Sequence, residues 1–465
     1  MIDRRNLLKG AALLAGTWPA SSIAKPSDAG DIITLTAKEV DFSLAREDLP
    51  ASPFWFYNGL TPGPEIRVRR GEKVKVRLLN ELAEPTSVHW HGIRLANSMD
   101  GVAGLTQPAV QPGESFDYEF VAPDAGTYWY HAHNKSWNQV ARGLYGALIV
   151  EEPDPAFPPA NDITLVIDDW RVDQQGKLDL ASFGNLMDWS HAGRLGNLIT
   201  VNGTFRPELN VAAGKTSRLR LINASNARIF QLALEGTEAL VMALDGQPVP
   251  EPFQPVKPPL ILAPAQRIDL LVRPIAGEKF ALATQTARET IRLADFSLTG
   301  EGTDRGRVPA ILFNSISEPD TTTARHYRLD MTGGAMGNFV ETTYQGKILS
   351  RDELISTRQV WAFNGVANLA DTPMFSVERG ETVSIDIVND TAFAHAMHVH
   401  GHHFCVVTPG ADEIDLNKPW RDTLLVAPER TARIAFVAEN PGKWLLHCHM
   451  LEHAAAGMNS WFEVT

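Results

Sequence analysis

The sequence predicts an all-β fold of three tandem Greek-key β-sandwich domains, and three observations carry that prediction. Short apolar runs alternate with Gly/Pro turns roughly every ten residues, while long stretches of helical periodicity are scarce. One series of turn residues occurs three times, roughly 150 residues apart, about one domain length. Paired histidines sit at matching places in the first and third copies and are missing from the second. A chain of 465 residues has room for such a plan.

The elements follow in order. Residues 1–24 read Asp3-Arg4-Arg5-Asn6-Leu7-Leu8-Lys9, an apolar run from Gly10 to Trp18, then Ser22-Ile23-Ala24. Basic start, short apolar middle and small residues at the end predict a twin-arginine-type signal peptide. The run falls far short of the roughly 20 residues that span a bilayer, so no membrane anchor is expected. Export by the twin-arginine machinery to a bacterial periplasm is. The three domains are expected at residues 25–153, 154–314 and 315–465, with a Pro-rich joint at Pro153 to Pro159 and a Ser/Thr joint at Ser315 to Thr323.

The repeat itself is a fixed set of residues. Asn58-Gly59, Pro64, Gly71 and Asn80 recur as Asn202-Gly203, Pro207, Gly214 and Asn223, and again as Asn364-Gly365, Pro373, Gly380 and Asn389; the last glycine always precedes the closing asparagine by nine residues. A second register follows at Gly126, Gly277 and Gly442, each opening a strand. Nine and eleven residues past the closing asparagine stand His89 and His91, then Leu232 and Leu234, then His398 and His400. Five and seven past the opening glycine stand His131 and His133, then Leu282 and Thr284, then His447 and His449. The outer copies therefore supply eight imidazoles, and the middle copy reads as architecture.

In a strand, residues i and i+2 share a face, so each His-x-His aims two rings the same way. Four such pairs predict a metal cluster between the first and third domains. Cys448 lies between His447 and His449 and must point away, and His395, three residues before His398, has the same opposite parity. His453 and Met458 follow Cys448 at five and ten residues. Two imidazoles, a thiolate and a thioether are the ligands of a blue-copper electron-transfer site. Zinc has no use for the weak thioether.

Charge and cysteine count exclude other classes. A formal charge of −13 argues against a nucleic acid partner, and two cysteines, Cys405 and Cys448, exclude a disulfide framework.

The segments His89-Trp90-His91-Gly92, His131-Ala132-His133, His395 to Gly401, and His447-Cys448-His449 through His453 and Met458 resemble the four copper motifs of multicopper oxidases, and the likeness covers essentially the whole mature chain. That resemblance implies three cupredoxin-like domains and about four copper ions, in the mixed thiolate, thioether and imidazole sites such ligands suit. It places a type 1 copper on His395, Cys448, His453 and Met458. It places type 2 copper on His89 and His398, one type 3 copper on His91, His131 and His449, and the other on His133, His400 and His447. It implies one-electron oxidation of a small-molecule or metal-ion donor coupled to reduction of dioxygen to water. A laccase-like phenol oxidase is the expected activity, with a dedicated cuprous-ion oxidase as the alternative. Thioethers suited to cuprous ions are only scattered, at Met331, Met336, Met374 and Met397.

Two acids are candidates for catalysis. Asp100, eleven residues past His89, matches a cluster-side acid of the family that feeds protons to oxygen, and Asp422, in Trp420-Arg421-Asp422-Thr423, resembles an acid that bonds a type 1 histidine and faces the substrate. Some relatives carry a second acid directly after the last type 1 histidine, where this chain has Ala454. His402 and His403 read as packing or solvent-facing rings, Cys405 as a buried apolar residue, and His191 and His326 have no partners in sequence.

Overall fold

The computed structural model describes residues 23–24, 32–44, 50–255, 259–303, 305–337 and 341–465. The signal segment expected at 1–24 lies outside them apart from Ile23–Ala24. The chain forms three β-sandwiches. In the first, a sheet ordered 52–57, 33–42, 73–80, 115–121 packs on one ordered 23–24, 63–69, 145–151, 126–132, 88–91. The second pairs a six-stranded with a five-stranded sheet over residues 162–299, and the third does the same over 325–464. Each sandwich closes on its own apolar cluster, built around residues such as Trp90 and Tyr130, Leu221 and Phe230, or Ile385 and Trp444. Helices are brief: the longest among the described residues is Arg351–Thr357, of 7 residues, and none is long and apolar enough to cross a membrane.

The repeated residues earn their places through backbone geometry. Asn58, Asn202 and Asn364 have φ of 56°, 50° and 50°, and the glycines after them 75°, 73° and 75°. Two successive positive φ values make the tight turn that Asn-Gly favours. Each asparagine side chain also reaches a neighbouring strand: Asn58 accepts from Thr36 N at 2.6 Å, Asn202 from Val166 N at 2.8 Å and Asn364 from Asp330 N at 2.7 Å. The closing asparagines are buried brackets. Asn80 donates to the Glu84 and Val110 carbonyls, Asn223 to those of Arg228 and Leu262, and Asn389 to those of Phe393 and Val426. They fix the loop that leads into each histidine-bearing strand.

Pairing in the middle copy differs from the repeat count by two residues. His89 faces His131 and His398 faces His447, whereas Leu232 faces Thr284 and Leu234 faces Leu282. A shift of two leaves every side chain on its original face, so the core is preserved. The middle sandwich also grips the first: Arg67, Arg218 and Arg220 converge on buried Asp162, and Arg220 with Asp269 holds the Thr127 hydroxyl on the strand that carries His131.

Candidate metal centres

Strand parity sorts the ligands as the sequence predicts. Trp90, between His89 and His91, turns into the core against Tyr118 and Phe120, and Cys448 turns away from His447 and His449 to pair with Met397. Two separate donor sets result.

The first set is His395, Cys448 and His453, all fully buried. Cys448 Sγ lies 3.6 Å from His395 Nδ1 and 3.9 Å from His453 Nδ1, and the two nitrogens are 3.1 Å apart. These are separations of atoms that share one ion at metal-ligand distance. Met458 is fully buried in the same apolar cluster as Cys448. The outer nitrogens are tied back, which fixes which face of each ring is free. His395 Nε2 donates to the Thr391 hydroxyl at 2.9 Å, and that hydroxyl donates to Asn389 Oδ1 at 2.7 Å, so the repeat's closing asparagine orients a ligand. His453 Nε2 donates to the His191 carbonyl of the middle domain at 2.6 Å. Burial pulls His453 down to about 4 and pushes the Cys448 thiol up to about 12.

The second set is the eight paired imidazoles. His89 stacks on His400 at 3.9 Å and His91 on His398 at 3.7 Å, so rings from the first and third domains interleave. His131 Nε2 lies 3.3 Å from His449 Nε2, and His400 Nε2 lies 3.1 Å from His447 Nε2. Backbone carbonyls take the opposite nitrogens: His131 Nδ1 donates to Ala132 and His447 Nδ1 to Cys448. Burial, then neighbouring imidazoles, lowers the pKa of His91, His131, His133, His398, His400 and His449 well below the usual histidine range. Neutral rings are what metal ions bind.

Two carboxylates clamp this set reciprocally. Asp100, from the first domain, accepts His89 Nδ1 on its carbonyl at 2.8 Å and His400 Nδ1 on Oδ2 at 2.9 Å. Asp422, from the third, accepts His398 Nδ1 on its carbonyl at 2.8 Å and His91 Nε2 on Oδ1 at 3.2 Å. Each acid thus holds one ring of its own domain and one of the other. What remains is instructive. His89 Nε2, His398 Nε2 and His91 Nδ1 are buried without a hydrogen-bond partner within the protein. Each such orphan costs about 1–3 kcal/mol, and several in one place fit the copper that this donor set suits.

Asp100 lies where expected, beside the cluster. Asp422 bonds neither His395 nor His453 and is not at the surface where a donor arrives: it is fully buried at the eight-histidine set, because strand Thr423–Val426 pairs with His395–Val399 so that Thr423 meets His398. The His395 and His453 rings instead lean on Thr391 and the His191 carbonyl. His402 packs against Phe436, Trp444 and Phe462, as expected of a core residue. His403 is buried with Nε2 3.6 Å from Asp422 Oδ2. Cys405 is half-buried, its thiol pushed up by burial to about 11. His326 is exposed. Glu452 went unnoticed in sequence; it is buried beside His453, accepting from Asn226 Nδ2 at 2.7 Å and Arg194 N at 3.2 Å. Met331 and Met397 are buried in the third core, Met374 packs partly buried against that same core, and Met336 is 80% exposed.

Family models described as multicopper oxidase match residues 41–155, 161–298 and 342–465. The multicopper oxidase MmcO of Mycobacterium tuberculosis is 30% identical across 97% of this chain and 90% of its own. Laccase-1 of Botryotinia fuckeliana is 28% identical across 86% of this chain and 77% of its own. The crystal structure of a Campylobacter jejuni multicopper oxidase, described as a metallo-oxidase, superposes with a TM-score of 0.80 at 27% identity, covering 96% of this chain and 94% of that one.

Proposed function

The chain belongs to the multicopper oxidase family, and from that premise we propose that it oxidises small phenolic donors one electron at a time and reduces dioxygen to water. The observation that carries the reading is the pair of donor sets joined by three consecutive residues, His447-Cys448-His449. Copper there supplies one-electron acceptance at the thiolate site and combined electron delivery to dioxygen at the imidazole set. We assign type 1 copper to His395, Cys448, His453 and Met458, type 2 to His89 and His398, and type 3 to His91, His131, His449 and to His133, His400, His447. The grouping of His133, His400 and His447 supports the last assignment.

The residues have separable tasks. Cys448 joins the two sites through its own backbone, so electrons need no diffusing carrier. Ala132 stands between the first domain's histidines, so that domain offers no second wire. Four electrons and four protons convert dioxygen to two waters, and Asp100 is the residue placed to hold a proton. Its Oδ1 is buried and accepts no hydrogen bond within the protein. A cleft of about 200 Å³ lined by His133, His447, Lys135 and Ala454 leads small molecules to the cluster edge. Ala454, where some relatives place an acid, leaves that cleft open.

Met331, Met374 and Met397 are taken up in the apolar core of the third domain and Met336 alone of the four is exposed, which favours phenols over cuprous ions as donors, since a cuprous site needs soft ligands side by side within reach of the ion. Oxygen uptake by the purified enzyme with phenols, cuprous and ferrous ions compared tests this. Phenols are expected to support the fastest turnover, and a strong preference for cuprous ion would overturn the donor assignment. The N-terminal sequence supports export to the periplasm, and we take the domain limits as 25–153, 154–314 and 315–465.

Met458→Leu is expected to raise the type 1 potential while the blue colour persists, because a weak axial thioether tunes that copper. The swap conserves volume and costs less than about 1.5 kcal/mol. Redox titration of the blue band checks it; an unchanged potential would reduce Met458 to packing.

A further inference from the structure

The middle domain has Leu232, Leu234, Leu282 and Thr284 at the repeat's histidine positions, yet one of its side chains reaches the eight-histidine set. Arg267, at the start of strand Arg267–Val272, is fully buried where all three domains meet. Its Nε donates to the Thr127 carbonyl of the first domain at 3.1 Å and its Nη1 to the Ala265 carbonyl at 3.0 Å. Nη1 also donates to Asp422 Oδ1 at 2.8 Å, and Nη2 donates to Asp422 Oδ2. This is a two-pronged grip, with a geometry only a planar guanidinium provides.

The grip falls on the acid that clamps His91 and His398. Asp422 Oδ1 takes the His91 Nε2 proton, which leaves His91 Nδ1 as the orphan facing the cluster. Thr423 Oγ1, 2.8 Å from Asp422 Oδ1 and 3.2 Å from His91 Nε2, closes the triangle. Asp422 has a second buried carboxylate beside it, Asp245, which accepts from its backbone N–H at 3.4 Å, and His403 offers only a ring nitrogen at 3.6 Å, so the guanidinium is its close positive partner. Arg421 pairs with Asp415 and, at 3.7 Å, with Asp245, and makes no ion pair with Asp422 among the described residues. The opposite acid, Asp100, holds His89 and His400 with no arginine contact among the described residues, so the two clamps are built differently.

The space is tight enough to explain another residue. Gly92, directly after His91, has φ +85°, and a Cβ there would come within 2.5 Å of both Arg267 Nη2 and Asp422 Oδ2. The glycine of the His-Trp-His-Gly segment is therefore the room the ion pair occupies.

We propose that Arg267, contributed by the middle domain, is a positioning residue for the eight-histidine copper cluster: it fixes Asp422, and through it the His91 ring, with Nδ1 presented to the metal, and the His398 ring, assigned to type 2 copper. The proposal rests on the assignment of those imidazoles to copper. Outer partners of metal-binding histidines change affinity or activity by about 10–100-fold when removed. Two variants test it in the copper-loaded enzyme without touching a ligand. Arg267→Lys keeps the charge and loses the two-pronged grip; Gly92→Ala keeps both partners and pushes them apart. Each is expected to retain the full blue band, to give an altered type 2 electron paramagnetic resonance signal, and to lose cluster copper to a chelator at about 10–100-fold lower concentration than wild type. A mere brace between domains would lower the melting temperature and move neither the resonance signal nor the chelator midpoint. If both variants keep wild-type values of those two quantities, the proposal is overturned. Wild-type protein that takes up copper only at the blue site would instead overturn the cluster assignment, and the proposal with it.

Discussion

Replacing Cys448 by serine is expected to give a colourless protein that oxidises no donor but still folds and still holds copper at the imidazole cluster. The blue band is charge transfer from the thiolate to cupric ion, and a serine hydroxyl supplies no such transition. Of the residues set between paired cluster histidines, Trp90, Ala132, Val399 and Cys448, only Cys448 can also ligate a metal, so its loss cuts the path as well as the acceptor. The folding cost is small by comparison. Cys448 is fully buried and accepts a hydrogen bond from Met450 N at 3.4 Å, which a serine oxygen can also receive. A poorly partnered buried hydroxyl costs about 1–3 kcal/mol, against total stabilities of about 5–15 kcal/mol. Copper content should fall from about four to about three ions, since the thiolate ligand alone is removed. Turnover with every donor should drop to the detection limit. Metal analysis with visible spectroscopy and oxygen uptake decides it: a blue, active Cys448→Ser protein would sink the type 1 assignment.

Much of this arrangement was legible in the sequence, for physical reasons that differ by residue. The Asn-Gly pairs were readable because positive φ at two successive positions admits few residues. The eight paired histidines and His395 were readable because strand parity converts spacing into direction, and Cys448 was assigned away from its neighbours by the same rule. What sequence did not disclose is what arrives from elsewhere in the chain. Asp422 follows His398 by 24 residues, and only the pairing of Thr423 with His398 shows which set it serves. Arg267 arrives from another domain. The partner of His453 is a backbone carbonyl, at His191, and a carbonyl carries no sequence signature. The two-residue shift in the middle copy was hidden because it leaves parity unchanged. The middle domain, read from sequence as architecture, supplies both that carbonyl and the guanidinium on Asp422.

Asp100→Asn should slow the oxygen half of the reaction by about 10²–10⁴-fold, the usual cost of removing a positioned proton donor. Geometry separates this acid from Asp422. Both clamp two imidazoles, but Arg267 occupies both carboxylate oxygens of Asp422, whereas Asp100 Oδ1 has no hydrogen-bond partner within the protein. That oxygen lies 3.2 Å from His89 Nδ1, whose proton already goes to the Asp100 carbonyl. A proton on Oδ1 therefore breaks no existing bond and sits at the edge of the cluster. Asparagine is nearly isosteric and keeps an oxygen for His400 Nδ1, so the clamp and copper content should survive, which metal analysis checks first. Reduction of the blue site by a phenol should proceed at the wild-type rate, because Asp100 touches none of its ligands. Reoxidation by dioxygen should lag, so reduced enzyme accumulates during turnover and the blue colour fades. Stopped-flow spectroscopy resolves the two halves. If Asp100→Asn with full copper reoxidises as fast as wild type, Asp100 is a clamp alone, and the protons reach oxygen by another route, for which the open cleft at Ala454 is the next place to look.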